Sequence, residues 1–303
     1  MSAEENSSLA PEPRDSSEPA SSPSEPLSGG EFGPRPELPG PVDGRPPSKW
    51  FPAESYNVPW GWLDIVMIVP FAFAVIFVFA LVIVGCEVAI FHAPGSYIRA
   101  HLTFMLISAQ ILMEIALLGY LALQTRHRSN LPFWSTIGWH PLRPRNVSRV
   151  AAYFGLIVGG VALALFVSLA SAAFPPSHPL PIERIFQTRS LTLLFMATAV
   201  VIAPVVEETV FRGYLYPVAA RSFGIVGGII FTGAVFGLLH GSQLWGGWWQ
   251  IALLVIVGII FTYVRAMTRT VLSSFLLHVS YNSVQVVGVL VTMYGSRQLL
   301  HVH

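Results

Sequence analysis

The chain has 303 residues, of which 53% are apolar and 11% charged, with 17 basic residues against 16 acidic for a formal net charge of +1. A soluble domain carries about 25% charged residues, so this is the composition of a membrane protein. It offers no basic surface for nucleic acid, and a single cysteine, Cys86, excludes an internal disulfide.

Residues 1–54 are rich in Pro, Ser and Glu, with almost no aliphatic content and a net charge of −6. Such a segment cannot bury enough apolar surface to offset its ordering entropy, and it reads as a disordered tail. Asn57–Trp62 reads as an interfacial approach, with Trp60 and Trp62 at headgroup level. Hydrophobic runs follow at about 63–91, 100–124, 150–174, 191 onward, 224–241, 249–267 and 270–294, most meeting the ~20-residue length of a membrane span. IVGC at 83–86 has the form of a lipid-attachment signal, but it lies too far from the N-terminus, and Cys86 reads as a buried helix cysteine. Between the second and third runs lie Arg126, Arg128, Arg143, Arg145 and Arg149. The aromatic stretch LPFWSTIGW at 131–139 lies either along the membrane interface or as a loop against the helices. The expected fold is an all-α, polytopic transmembrane bundle of about seven spans, or eight if the first run is a hairpin broken at Pro70. The domain reading is 1–54 tail, 55–189 N-terminal helices with an Arg-rich loop, 190–294 core, and 295–303 a short tail.

Arginine placement sets the expected orientation. With the N-terminus cytoplasmic, the inner segments hold ten basic residues and the outer ones four: Arg99, Arg184, Arg189 and Arg297. One Lys among 17 basic residues suggests a GC-rich genome, hence a bacterial cell membrane.

Beyond Asp64 the chain has no Asp, and its Glu residues are Glu87, Glu114, Glu183, Glu207 and Glu208. Glu207 and Glu208 stand side by side in an apolar run. Ionisable groups at bilayer depth are costly and mark functional interiors. Adjacent helical residues point about 100° apart, so only one of the two faces a given partner. Glu208 and Arg212 are spaced i,i+4 and can pair, which leaves Glu207 free. Phe236 and His240 are also i,i+4, as are His278 and Asn282, with Gln285 near the latter face. Taken singly, each of these side chains is most often an interhelical hydrogen-bonding group. Together, a carboxylate and two imidazoles can activate water directly, with an amide beside an oxyanion. Alternatively Glu207, His240 and His278 can hold a divalent metal such as zinc. The zinc-protease pattern HExxH is absent.

EETVFR at 207–212 fits EExxxR, FGLLH at 236–240 fits FxxxH, and HVSYN at 278–282 fits HxxxN. In this order on three hydrophobic helices, they resemble the CPBP family: CAAX prenyl endopeptidases and bacteriocin-processing or immunity (Abi) proteins. The resemblance covers about residues 190–290. It implies an intramembrane endopeptidase acting on a membrane-associated protein or peptide. Glu207 would activate water with His240 assisting, His278 and Asn282 would stabilise the oxyanion or orient the site, and Glu208, Arg212 and Phe236 would support the pocket. Metal dependence stays open. Two other readings stand beside it: a non-catalytic immunity or scaffold member of the family, and a proton- or ion-coupled transporter. The second would call for paired repeats, and none is visible.

Overall fold

The computed structural model describes residues 51, 54–144, 146–187 and 189–300, and among them there is no strand. Most of the 1–54 tail, together with Arg145 and the last three residues, lies outside them.

Helix α1 (Trp62–Ala89) runs unbroken through Pro70, so the hairpin that would have added an eighth span does not form. Its mainly apolar surface is largely exposed by the protein, as expected of a lipid-facing helix. It packs along α2 (Gly95–Arg128). A short helix α3 (Phe133–Thr136) follows. Ile137 behind it is buried, and Trp139 donates to Thr209 Oγ1 at 3.1 Å, so the aromatic stretch is a loop packed on the bundle. Helix α4 (Arg149–Ala173) starts at Ser148, whose hydroxyl caps the Ala151 N–H, and ends before Pro175 and Pro176.

The next apolar stretch, Arg189–Ser242, is one helical trace of 54 residues. At ~1.5 Å per residue it would be about 80 Å long, against a hydrocarbon layer of about 30 Å, so it must fold back. It does so at Gly224, where φ 76° and ψ 169° lie in a region open essentially to glycine. The first pass contains α5 (Arg189–Ala197), a π-turn at Thr198–Ile202, α6 (Ala203–Glu208) and a second π-turn at Thr209–Leu215. Helix α7 (Tyr216–Leu239) completes it and makes the second pass beyond Gly224. Helices α8 (Trp248–Thr268) and α9 (Val271–Leu300) close the bundle. Among the described residues, six long apolar helices, one of them doubled back, therefore make seven passes.

The returning half of α7 packs on α8, and α4 packs on α9. Small residues allow the first contact: a Cβ on Gly233 would lie 2.5 Å from the Ile259 backbone nitrogen, and one on Gly258 would lie 2.7 Å from the Gly233 carbonyl. Polar groups tie one end of the bundle together. Arg128 binds Asp64 at 2.6 Å, and the guanidinium of Arg221 donates to the Val58 and Trp60 carbonyls. Trp60, expected at headgroup level, is instead core. It is 2% exposed, stacks on Tyr214 at 4.2 Å and donates Nε1–H to the Tyr214 carbonyl. An indole with its N–H satisfied gains more from that slot than from the interface.

At the end of the sequence-predicted tail, Glu54 makes a two-pronged ion pair with buried Arg265, at 2.7 and 2.9 Å. Beside it Tyr56 and Tyr216 share a hydroxyl hydrogen bond at 3.0 Å. Burial and the Glu54 carboxylate push the Tyr56 phenol up to about 12, which keeps it neutral at ordinary pH.

Candidate active site

The Glu208–Arg212 pair forms as its spacing predicts, with Nη1 donating to Oε1 at 2.9 Å and both side chains fully buried. Two further features make that burial tolerable. Arg212 Nη2 donates to the Gly258 carbonyl at 3.0 Å, and the guanidinium lies 4.6 Å from the Phe236 ring centre and 5.3 Å from that of Phe261. Phe236 of the FxxxH motif is thus a wall of the arginine's cage, and Phe261, which no motif marks, is another.

Oε1 of Glu208 accepts a second hydrogen bond, from Nδ1–H of buried His278 at 2.9 Å. On α7, His240 Nδ1 lies 2.8 Å from the Phe236 carbonyl, which can only accept. Both imidazoles therefore carry their proton on Nδ1 and turn Nε2 toward the same place. Glu207 is there. Its Oε1 lies 3.8 Å from His240 Nε2, and its Oε2 lies 3.7 Å from His278 Nε2. Those separations are too long for direct hydrogen bonds. A carboxylate and two bare Nε2 lone pairs are three acceptors facing one another, an arrangement favourable around a donor such as water or around a cation. The Glu207 side chain is 25% exposed and the Glu208 side chain 0%, so the two carboxylates divide as expected, one open and one locked.

Two imidazole nitrogens and a carboxylate are suitable metal donors. Among the described residues, however, no group of three or more His, Cys, Asp or Glu side chains is placed to hold a metal ion. No step below runs through a metal.

Asn282 sits one turn beyond His278, but its amide is engaged elsewhere: Nδ2 donates to the Ala199 carbonyl at 2.7 Å. The reason is local. In the π-turn the Ala203 N–H reaches back to the Thr198 carbonyl, and the next residue, Pro204, has no N–H. Ala199 is left with an unpaired carbonyl, and Asn282 satisfies it. This ties α9 to the backbone just before Glu207. The sequence held a signal for the bond, a proline just ahead of the Glu pair, but not its partner.

A cavity of about 610 Å³ opens against His240, between α4, α8 and α9. Its polar groups include Ser168, Ser171, Gln250, Tyr281 and Gln285, set among Val, Leu, Ile, Ala and Pro side chains. Gln285, the further residue on the HxxxN face, accepts from Ser168 at 3.4 Å.

No curated protein and no solved structure matches the chain. One family model does, described as Type II CAAX prenyl endopeptidase Rce1-like, over residues 189–284. That span begins with α5 and includes Glu207, Glu208, Arg212, His240, His278 and Asn282. Over residues 189–284 the chain thus matches the model of a CAAX-protease family, the same family that its three motifs resemble.

Proposed function

We propose that the chain is an intramembrane endopeptidase that hydrolyses a peptide bond of a membrane protein or membrane-bound peptide, with Glu207 as the base. The observation that carries this is the convergence of the Glu207 carboxylate and the Nε2 atoms of His240 and His278 at 3.7–3.8 Å. A water placed among them donates its hydrogens to these acceptors and presents a lone pair to the substrate carbonyl. As the water oxygen attacks the carbonyl carbon, one of its protons passes to Glu207. When the tetrahedral intermediate collapses and the C–N bond breaks, that proton passes to the leaving nitrogen. His240, at the cavity wall, assists through Nε2. His278 is held by Glu208 and fixes the other side of the water. Asn282 belongs to the frame of the site, since its bond to Ala199 sets the backbone ahead of Glu207. The cavity beside His240 suits an apolar substrate segment, because its few polar groups are neutral amides and hydroxyls.

The test is cleavage of a quenched fluorescent reporter with one apolar transmembrane segment, in detergent or vesicles, by wild type and Glu207→Gln, with and without chelator. Cleavage by wild type alone, unaffected by chelator, is expected. Equal rates for the two proteins would sink the assignment and favour a non-catalytic family member.

A further inference from the structure

Two Glu within the long apolar helices have no role so far, the half-buried Glu87 near the end of α1 and the buried Glu114 on α2, and Glu114 lies outside the span matched by the family model. It is 7% exposed. Its Oε1 accepts from Gln110 Nε2 at 2.9 Å, while Oε2 is buried without a hydrogen-bond partner in the protein. A buried carboxyl oxygen left in that state is costly and calls for an explanation.

Its placement supplies one. The helix carrying α5 and α6 is the fourth pass and α2 the second, so the two run in the same direction. They are pinned together where Tyr214 donates its hydroxyl to the Leu121 carbonyl at 2.7 Å, and Leu117 and Leu121 share a buried cluster with Val206. Counting back seven residues from Leu121 reaches Glu114, and seven from Tyr214 reaches Glu207. At ~1.5 Å per residue Glu114 lies about 10 Å from that pin, and Glu207, across the π-turn at Thr209–Leu215, lies somewhat nearer to it along the helix axis. The two carboxyl groups therefore lie at similar depth on neighbouring, packed helices.

We propose that Glu114 is a positioning residue of the hydrolytic site, acting with Glu207 through ordered water. Two carboxyl groups facing one polar space are reconciled by hydrogen-bond donors between them, and water supplies two per molecule. Oε2 of Glu114 holds one end of such a water chain and Glu207 the other. The attacking water is thereby oriented from the α2 side as well as from the imidazole side. This rests on the peptidase reading above, and it brings into the reaction a helix that the family match does not reach.

Two replacements separate a positioning role from a structural one. Glu114→Gln keeps size and the bond from Gln110. Glu114→Leu fills the volume and removes a desolvated polar group, a change that is often neutral or stabilising for the fold. With the transmembrane reporter, both variants are expected to melt no lower than wild type. Each should lose about 10- to 100-fold in kcat with KM unchanged, the scale of a misplaced reacting group. Wild-type kcat in both folded variants overturns the proposal, as does unfolding of both, which would assign Glu114 to structure. A wild type no faster than Glu207→Gln overturns the peptidase reading and this proposal with it. A cleaving wild type alongside fully active Glu114 variants overturns this proposal alone.

Discussion

The Nδ1–H of His278 donates to Oε1 of Glu208 at 2.9 Å, on the same oxygen that accepts Arg212. One locked carboxylate thus sets both the tautomer and the angle of an imidazole whose other nitrogen faces Glu207. The two histidines should therefore respond differently to replacement. His240→Ala removes a group on the rim of the site and should give a folded, inactive protein. His278→Ala also strips a partner from a fully buried carboxylate and should lose stability as well, by about 1–3 kcal/mol. Arg212→Ala leaves Glu208 without its counter-ion, at a cost of about 3–5 kcal/mol. Thermal melts in detergent beside reporter cleavage check all three.

The bond from Asn282 to the Ala199 carbonyl exists because Pro204 brings no N–H. Asn282→Ala should cost about 1–3 kcal/mol by orphaning that carbonyl. Pro204→Ala restores a backbone donor nearby and should recover part of the loss. A double-mutant cycle measures the coupling between them. Strict additivity of the two substitutions would show that the proline is unrelated to the bond.

Glu54 closes on Arg265 from outside the helical bundle. A chain beginning at Ser55 strands a buried guanidinium and should be destabilised by about 3–5 kcal/mol, while one beginning just before Phe51 should melt like the full chain. Glu54→Ala should reproduce the chain that begins at Ser55. Comparing melting temperatures of the three proteins decides the matter.

Arginine placement predicts that the N-terminus and the 125–149 loop face the cytoplasm. In a Cys86→Ser background, Val147→Cys should react with an impermeant maleimide only from the cytoplasmic side, and Ser177→Cys only from the opposite side. The reverse pattern would invert the orientation without altering the helix packing.

Much of the fold was legible because hydrocarbon imposes length and composition on whatever crosses it. The absence of Asp beyond Asp64 made Glu207 and Glu208 conspicuous, and i,i+4 spacing was enough to pair Glu208 with Arg212. What stayed hidden depends on contacts between distant segments. No local pattern tells an interfacial Trp60 from one stacked on Tyr214, or pairs Glu54 with Arg265 across more than two hundred residues. Helical spacing put His278 and Asn282 on one face, but a π-turn on another helix decided what the amide would bind. Glu114 was visible as a letter, while its depth beside Glu207 required the pin between Leu121 and Tyr214.

The two π-turns that bracket α6, at Thr198–Ile202 and Thr209–Leu215, hold spare length in the chain. Each turn carries more residues than an α-helix would use for the same arc. Deleting one residue within Thr209–Leu215 would let the backbone relax into ordinary α-helix over that same arc, so Glu207 and Glu208 would keep the faces they present to the histidines. The same deletion in a stretch that is already α-helical would turn everything before it by about 100°. A chain shortened inside the π-turn should therefore insert, fold and keep its carboxylates in place, while one shortened elsewhere on the helix should not.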